Sequence, residues 1–495
     1  MYFCIVVADY TFAFLIFMEK LTGREVEKEI LSSALLSDEP ELIAVYGRRR
    51  VGKTFLIRQV FKANLICEFS GVHHASVNEQ LRNFRDQLAA NSNFKVFLAV
   101  PENWSDAFRM LIQFATPLLK KQKVVLFFDE FPWLSSAKSG FMSAFEYFWN
   151  SWATKQTNLI VTICGSAASW MIQKVVNNKG GLHNRITRRI RLLPFTLKET
   201  AAYLKSRSII LDQYQILHLY MAFGGIPHYL KEIKKGESAA QSIDRVCFTR
   251  DGILQNEFDN LYYSLFDTAE KHILIIRALA SKSSGLTRKE IISVCSLPSG
   301  GTTTKVIEEL IESGFVSIYI PFEKNVRDSI YKLSDEYSRF YLKYIENSRS
   351  TGQGTWLKLS VSQSWKSWSG NAFEGICLKH IKEIKSALGI SGVYAEESAW
   401  RYIGNASSKG AQIDLLLDRQ DFCISICEMK FSNAAFTIDK AYATDLKTKL
   451  DVFREFTKTK KILFLTMVTT FGIKDNINKT GLVQNEVTLA DLFTS

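Results

Sequence analysis

The sequence has no cysteine pair spaced as Cys-x-x-Cys, no long run of basic residues, no internal repeat and no low-complexity tract. Each absence removes a class of protein. Without that spacing the eight cysteines, at positions 4, 67, 164, 247, 295, 377, 423 and 427, carry no zinc-site signature. They lie mostly inside apolar runs, as reduced thiols do in a reducing compartment, so the expected location is cytoplasmic. Without repeats or biased tracts the chain is neither a solenoid nor a solvated linker. Its 47% hydrophobic and 23% charged residues suit a chain that folds throughout.

At 495 residues the chain exceeds what one core organises, which predicts two to four units of roughly 100 to 200 residues. A formal charge of +12 favours an anionic partner, and the excess is spread along the chain. The first eighteen residues are apolar, but Asp9 interrupts them and no basic residue precedes them as a signal peptide requires. The expectation is that residues 1–18 are an extension from an upstream start, with Met18 the initiator, and that no membrane is involved.

From 41 to 193, short apolar runs at 42–46, 124–128 and 159–164 alternate with helical stretches, the pattern of a parallel, doubly wound α/β sheet. Residues 19–195 are expected to form this core. Residues 196–262 read as a helical lid, with helices at 196–207 and 213–223 followed by the break Gly224, Gly225, Ile226, Pro227. In 263–347, helices at 272–282, 288–294 and 302–313 precede a strand pair at 315–321 and 329–333 with a polar tip, which predicts a winged helix-turn-helix. A Ser/Gly/Thr-rich linker at 348–355 leads to a second α/β unit, 356–495, with a helix at 373–384, strands at 412–417 and 423–430, a helix at 441–455 and a strand at 461–467.

Gly47, Arg48, Arg49, Arg50, Val51, Gly52, Lys53 and Thr54 match G-x-x-x-x-G-K-[ST], follow an apolar strand and open a helix that continues through Phe55. Glycines there let backbone amides curl around phosphates, Lys53 neutralises β and γ charge, and the Thr54 hydroxyl is a ligand for Mg²⁺. The strand at 124–128 ends in Asp129 and Glu130, where a parallel sheet presents its ligands. Asp129 is the expected second Mg²⁺ residue and Glu130 the residue that orients or deprotonates the attacking water. These residues predict ATP binding and hydrolysis. No guanine-reading N-K-x-D follows, which disfavours a GTPase.

The strand at 159–164 ends in Gly165 and Ser166; the serine either contacts the γ-phosphate or water, or caps the next helix. Asn184, Arg185, Arg188, Arg189 and Arg191 alternate with apolar residues, so most of these arginines read as a solvated strand face. Arg185 is the candidate to reach a γ-phosphate in the same or a neighbouring subunit.

Together the 47–54 loop, Phe128-Asp129-Glu130, Gly165-Ser166, the Arg185-containing strand ending in Leu193-Pro194-Phe195, and Gly224-Gly225-Ile226-Pro227 resemble the archaeal-type ATPases. These are AAA+-related members of the STAND clade, often followed by a winged helix and a domain of unknown function numbered 234 (DUF234). The likeness runs from about Arg24 through nearly the whole chain. It implies that Arg24 and Glu25 lie near the adenine and that the Gly225-Ile226-Pro227 turn helps the lid sense nucleotide. The family often has glycine ahead of the arginine matched here by Arg185, whereas this chain has Asn184.

In the last unit Asp414 lies on one expected strand, and Glu428 and Lys430 share a face of the next. With Glu374 on the preceding helix they form the D…E-x-K pattern of PD-(D/E)XK, restriction-endonuclease-like nucleases, to which that unit is similar. The carboxylates would chelate Mg²⁺ or Mn²⁺ and the lysine would stabilise hydroxide or phosphorane; the alternatives are an exposed Glu428/Lys430 charge pair or a nuclease relic used for binding. The helix at 302–313 sets Lys305 against Glu308, Glu309 and Glu312, which is poor phosphate-binding chemistry, so a spacer role or DNA contact through Lys324 and Arg327 is expected instead. Two functions follow: ATP turnover coupled to binding or metal-dependent cutting of double-stranded DNA or other nucleic acid, or a STAND-like ATP-dependent switch with an inactive nuclease-fold binding domain. Homo-oligomers or a protein partner fit either.

Overall fold

The computed structural model describes residues 21–91, 98–136, 138–177, 180–266, 268–348, 352–404 and 409–494. Asp9, the start expected at Met18, and residues 349–351 of the expected linker lie outside them.

Strands β1 (Glu41–Tyr46), β2 (Leu65–Ser70), β3 (Val124–Asp129), β4 (Leu159–Gly165) and β5 (Arg188–Arg191) form one parallel sheet in the order β2-β3-β4-β1-β5. The three inner strands are buried on both faces, which is why they read as continuous apolar runs. The edge strands bury alternate residues only. That mixed pattern hid β2 from the sequence and made the basic strand look longer than its four residues. Because β4 lies between β1 and β3, with Tyr46 beside Gly165 and Phe128 beside Ile163, the carboxyl ends of all three strands meet along one edge. Gly47, Asp129, Glu130 and Ser166 are thereby placed together.

Residues 197–263 are helical. Thr196 and Glu199 form a capping box at the helix Leu197–Ser206, and Asp212 caps Gln213–Phe223. The Gly224-Gly225 break is packed against Leu193-Pro194-Phe195: the Phe195 amide donates to the Gly225 carbonyl at 2.6 Å, and a Cβ on Gly225 would lie 1.9 Å from the Phe195 carbonyl oxygen. Only glycine permits this approach.

Helices Glu270–Ala280, Arg288–Val294 and Gly301–Glu312 pack with a small antiparallel sheet of β6 (Leu286–Thr287), which lies between the first two helices, and β7 (Val316–Tyr319) and β8 (Ile330–Leu333), which follow the third, in the order β6-β8-β7. The helix Gly301–Glu312 ends on the large sheet, where Arg191 donates to the carbonyls of Ile311 (2.8 Å) and Glu312 (3.0 Å). The β7–β8 tip is also engaged: the Phe322 amide donates to Ala399 at 2.8 Å, and the Phe322 ring lies 5.5 Å from that of Phe453.

The last unit has the sheet order β13-β12-β11-β10-β9, formed by β9 (Ala395–Tyr402), β10 (Ala411–Arg419), β11 (Cys423–Lys430), β12 (Ile462–Thr469) and β13 (Asn485–Thr488). The helix Lys440–Thr457 covers one face and Gln363–Lys379 the other. The single helix expected at 373–384 is two, Gln363–Lys379 and Ile381–Ala387, divided at His380. His380 is 1% exposed; its Nε2 accepts the Leu197 amide at 3.1 Å, joining this unit to the start of the helical segment. Among the described residues no helix is long and apolar enough to cross a membrane, and the seven cysteines are all free.

Candidate nucleotide-binding site

The loop after β1 is shaped by its glycines. Gly47 (φ 148°) has no room for a side chain, since a Cβ would sit 2.2 Å from the Leu192 carbonyl oxygen. Gly52 (φ 92°) begins the helix Lys53–Val60 and faces open space. Lys53, 6% exposed, donates to the carbonyls of Gly47 (3.0 Å) and Arg48 (2.9 Å) and to Ser166 Oγ (3.1 Å). Its ammonium is thus held in the curl of the loop.

Across from it Thr54 Oγ1 donates to Asp129 Oδ2 at 2.7 Å. Burial raises the Asp129 carboxyl above the ordinary range, and the Glu130 charge adds to that, while the Thr54 hydrogen bond opposes it. The hydroxyl and carboxylate form a pair of hard oxygen donors beside the phosphate loop, which fits Mg²⁺.

Glu130 has φ 44°, a left-handed conformation uncommon for any residue other than glycine, and opens the four-residue helix Phe131–Leu134 without capping it. Its carboxylate accepts instead from Ser166, from the hydroxyl at 2.6 Å and the amide at 3.1 Å. Ser166 does not cap its helix either, because Ala167 holds that position. Lys53, Ser166 and Glu130 therefore form one hydrogen-bonded chain.

The cavity above them measures about 1410 Å³ and is lined by Arg24, Arg49, Arg50, Val51, Gly52, Lys53, Thr54, Phe55, Glu130 and Ser166 from the expected set. Arg24, in left-handed conformation at φ 62°, lies 4.5 Å over the Phe195 ring, and its guanidinium donates to the Val51 carbonyl at 3.3 Å. Arg48 departs from expectation. Its side chain turns away from the cavity and pairs, fully buried, with Asp335. Arg50 pairs with Glu257. The sequence did not nominate Arg207, Lys231, Lys234 and Lys235 from the helical segment, yet they stand on the cavity wall. The Lys234-Lys235 doublet just after the glycine break was the available signal.

Arg185 is elsewhere. It lies in a turn before β5, and since Arg188 pairs beside Ile43, Arg185 sits at the amino end of the sheet. Roughly six residues of strand, about 20 Å, separate that end from the loop, so Arg185 does not reach this cavity within its own chain. Being exposed, it is accessible to a second copy.

Residues 21–233 match the model of an ATPase domain predominantly from Archaea. In this stretch the chain is similar to an archaeal-type P-loop ATPase domain. An uncharacterized protein of Methanocaldococcus jannaschii is 24% identical over 398 residues, 79% of this chain and 83% of that protein. A Walker-type ATPase of Pyrococcus abyssi aligns with a TM-score of 0.49 at 17% identity, covering 66% of this chain and 97% of its own. The ORC2 protein of Aeropyrum pernix gives 0.42 at 13% identity, covering 69% and 96%.

Outside the 21–233 stretch the structure brings Glu374 and Asp414 near one another and turns Glu428 to the other face of the sheet. Lys332 donates to Glu374 at 3.2 Å, and burial together with the charge of Asp414 raises the Glu374 carboxyl. Gln412 donates to Asp414 at 2.7 Å. Alternation along β11 sends Glu428, with Ile424 and Ile426, towards the helix Lys440–Thr457, and sends Cys427 and Met429 towards Gln363–Lys379. There Glu428 accepts from Lys449, from Tyr442 (3.0 Å) and from Lys430 (3.1 Å). Burial opposes its ionisation, but Lys449 and Lys430 outweigh burial and hold its carboxyl below the usual range. Among the described residues no group of three or more His, Cys, Asp or Glu is arranged to hold a metal ion.

Proposed function

We propose that the chain is a nucleotide-operated switch that binds and hydrolyses ATP in the 47–54 cavity. The observation that carries this reading is the Lys53, Ser166 and Glu130 chain beside the Thr54 and Asp129 pair. Lys53 and the loop amides bind the phosphates, Arg24 and Phe195 flank the base, and Glu130 accepts the proton of the attacking water once it leaves Ser166. Thr54 and Asp129 would hold Mg²⁺, which when bound neutralises charge on the leaving phosphates. Glu130 tethered to Ser166 describes a resting state, in which the base is held short of water.

Nucleotide state would pass outward through Arg48 to Asp335 and Arg50 to Glu257, since both arginines belong to the phosphate loop. On this reading residues 196–262 are a lid, 263–347 a winged helix acting as a spacer, and 356–495 a nuclease-fold relic that binds a partner. The spacer role is supported by the docking of Gly301–Glu312 on Arg191 and of Phe322 on the last unit. The relic role is supported by Glu428, whose oxygens are already taken up by two lysines and a tyrosine. The +12 charge favours nucleic acid as that partner. Reduced cysteines favour the cytoplasm. An arginine contributed in trans, with Arg185 the candidate, would require a homo-oligomer.

The test is phosphate release by the full chain with and without double-stranded DNA, beside Lys53→Ala and Glu130→Gln variants and a gel for DNA cutting in Mg²⁺ or Mn²⁺. Turnover lost in both variants, with DNA intact, is expected. Turnover unchanged in both would sink the ATPase assignment, and cutting that Glu428→Ala abolishes would replace the switch with a coupled nuclease.

A further inference from the structure

A second cavity, of about 290 Å³ and sharing no lining residue with the first, lies between Glu270–Ala280, the β8 strand with the segment after it, and Gln363–Lys379. Five cations line it, Arg277, Lys282, Lys332, Arg339 and Lys343, against two carboxylates, Glu346 and Glu374. Three of the cations are matched. Arg277 makes a two-toothed pair with Glu346, Lys282 reaches Glu290 at 2.7 Å, and Lys332 reaches Glu374 at 3.2 Å.

Arg339 and Lys343 are not matched. Arg339 donates only to backbone, to the carbonyls of Leu333 and of Asn371 (3.1 Å). Among the described residues neither Arg339 nor Lys343 is in an ion pair, although the Arg339 charge reaches the Glu374 carboxylate. The Arg339 guanidinium lies against Gly375, where a Cβ would be 2.7 Å from its Nη1, so the helix carries glycine where the arginine passes over it. Cations outnumber carboxylates in this concave wall, with Arg339 half-buried and Lys343 exposed at its rim, which raises the local positive potential and draws small anions. A guanidinium fork beside an ammonium suits a phosphate, and Tyr319 and Trp368 add aromatic wall to the same cavity.

We infer that this cavity is a binding site for a small organic phosphomonoester, its phosphate held by Arg339 and Lys343 and its planar body lying against Tyr319 and Trp368. Such a ligand ties the β6-β8-β7 unit to the last unit. The inference rests on this cavity alone and stands or falls separately from ATP hydrolysis.

The experiment is calorimetric titration of the full chain with phenyl phosphate, the phosphate loop being filled beforehand with saturating ADP. One equivalent is expected to bind, roughly tenfold more tightly than inorganic phosphate and roughly tenfold more tightly than to an Arg339→Gln/Lys343→Gln variant, each tenfold corresponding to one lost charge-assisted or stacking contact. ADP affinity should be equal in wild type and variant, which shows that the variant is folded. Because Arg339 also holds two carbonyls, Lys343→Glu is the second variant, and it should weaken phenyl phosphate on its own. No binding, binding indifferent to both variants, or inorganic phosphate binding as tightly as phenyl phosphate would overturn the assignment.

Discussion

Arg48, second residue of the phosphate loop, ends against Asp335, 287 positions further along the chain, and both are fully buried. Arg48 also lies 4.7 Å over the Phe315 ring, and Asp335 accepts from Ser338, whose hydroxyl meets Tyr262 at 2.9 Å. Burial works against the Asp335 carboxylate, but the Arg48 charge outweighs it and holds the group below the usual range. The loop that would grip nucleotide phosphate is thus anchored to a segment outside its own cavity.

Asp335→Ala should destabilise the protein by about 3–5 kcal/mol, since it leaves a guanidinium buried without a counter-charge. Replacing both partners with apolar groups, Arg48→Met with Asp335→Leu, should recover most of that loss. Denaturant unfolding of the three variants checks both statements. Equal losses in the single and double variants would show that the cost is one of packing.

Glu130→Gln should keep nucleotide affinity and lower turnover by roughly 10²–10⁴-fold, the usual contribution of a general base. Lys53→Ala should weaken ATP binding at least about tenfold. Fluorescent-nucleotide binding and phosphate release, measured together, separate the two.

Ser166→Ala removes both the tether on Glu130 and a partner of Lys53. Turnover should rise, since the base is released from its resting tether, with ADP affinity close to wild type. A fall of roughly 10²-fold would instead mean that Ser166 is a positioned donor the reaction needs.

Acid should loosen the last unit through Glu428. Its carboxyl lies below the ordinary glutamate range, so its stabilisation is complete above that range and is lost as pH falls through the lowered value. Glu428→Gln should therefore show a shallower loss of stability on acidification, read by far-ultraviolet circular dichroism between neutral pH and about pH 3.

Manganese titration with ADP present, followed by electron paramagnetic resonance, should give one bound ion per chain. Glu428→Gln should leave that number unchanged, because Glu428 is occupied by lysines. A second ion lost in this variant would restore a metal site to the last unit.

The inner strands were legible because a parallel strand buried on both faces has nothing polar to disguise it, as β1, β3 and β4 illustrate. β2, β9 and β13, at sheet edges, mix polar with apolar residues and passed unnoticed. The phosphate loop and Asp129-Glu130 were readable because their chemistry is local. Asp335 and Glu257 were not, since an ion pair across hundreds of residues leaves no mark in spacing. Which partners the D…E-x-K residues take was not readable either: β10 shifts register between Ile413 and Leu416, and Lys449, on the helix Lys440–Thr457, pairs with Glu428.

The seating of Phe322 beside Phe453, with its amide on the β9 edge, bears on how this chain can be divided. Cutting at the 348–355 stretch would bare the β9 edge and leave an empty aromatic socket. An isolated C-terminal fragment would then offer an unpaired strand to its neighbours and self-associate. A fragment that keeps the β7–β8 hairpin carries the Phe322 cover with the sheet.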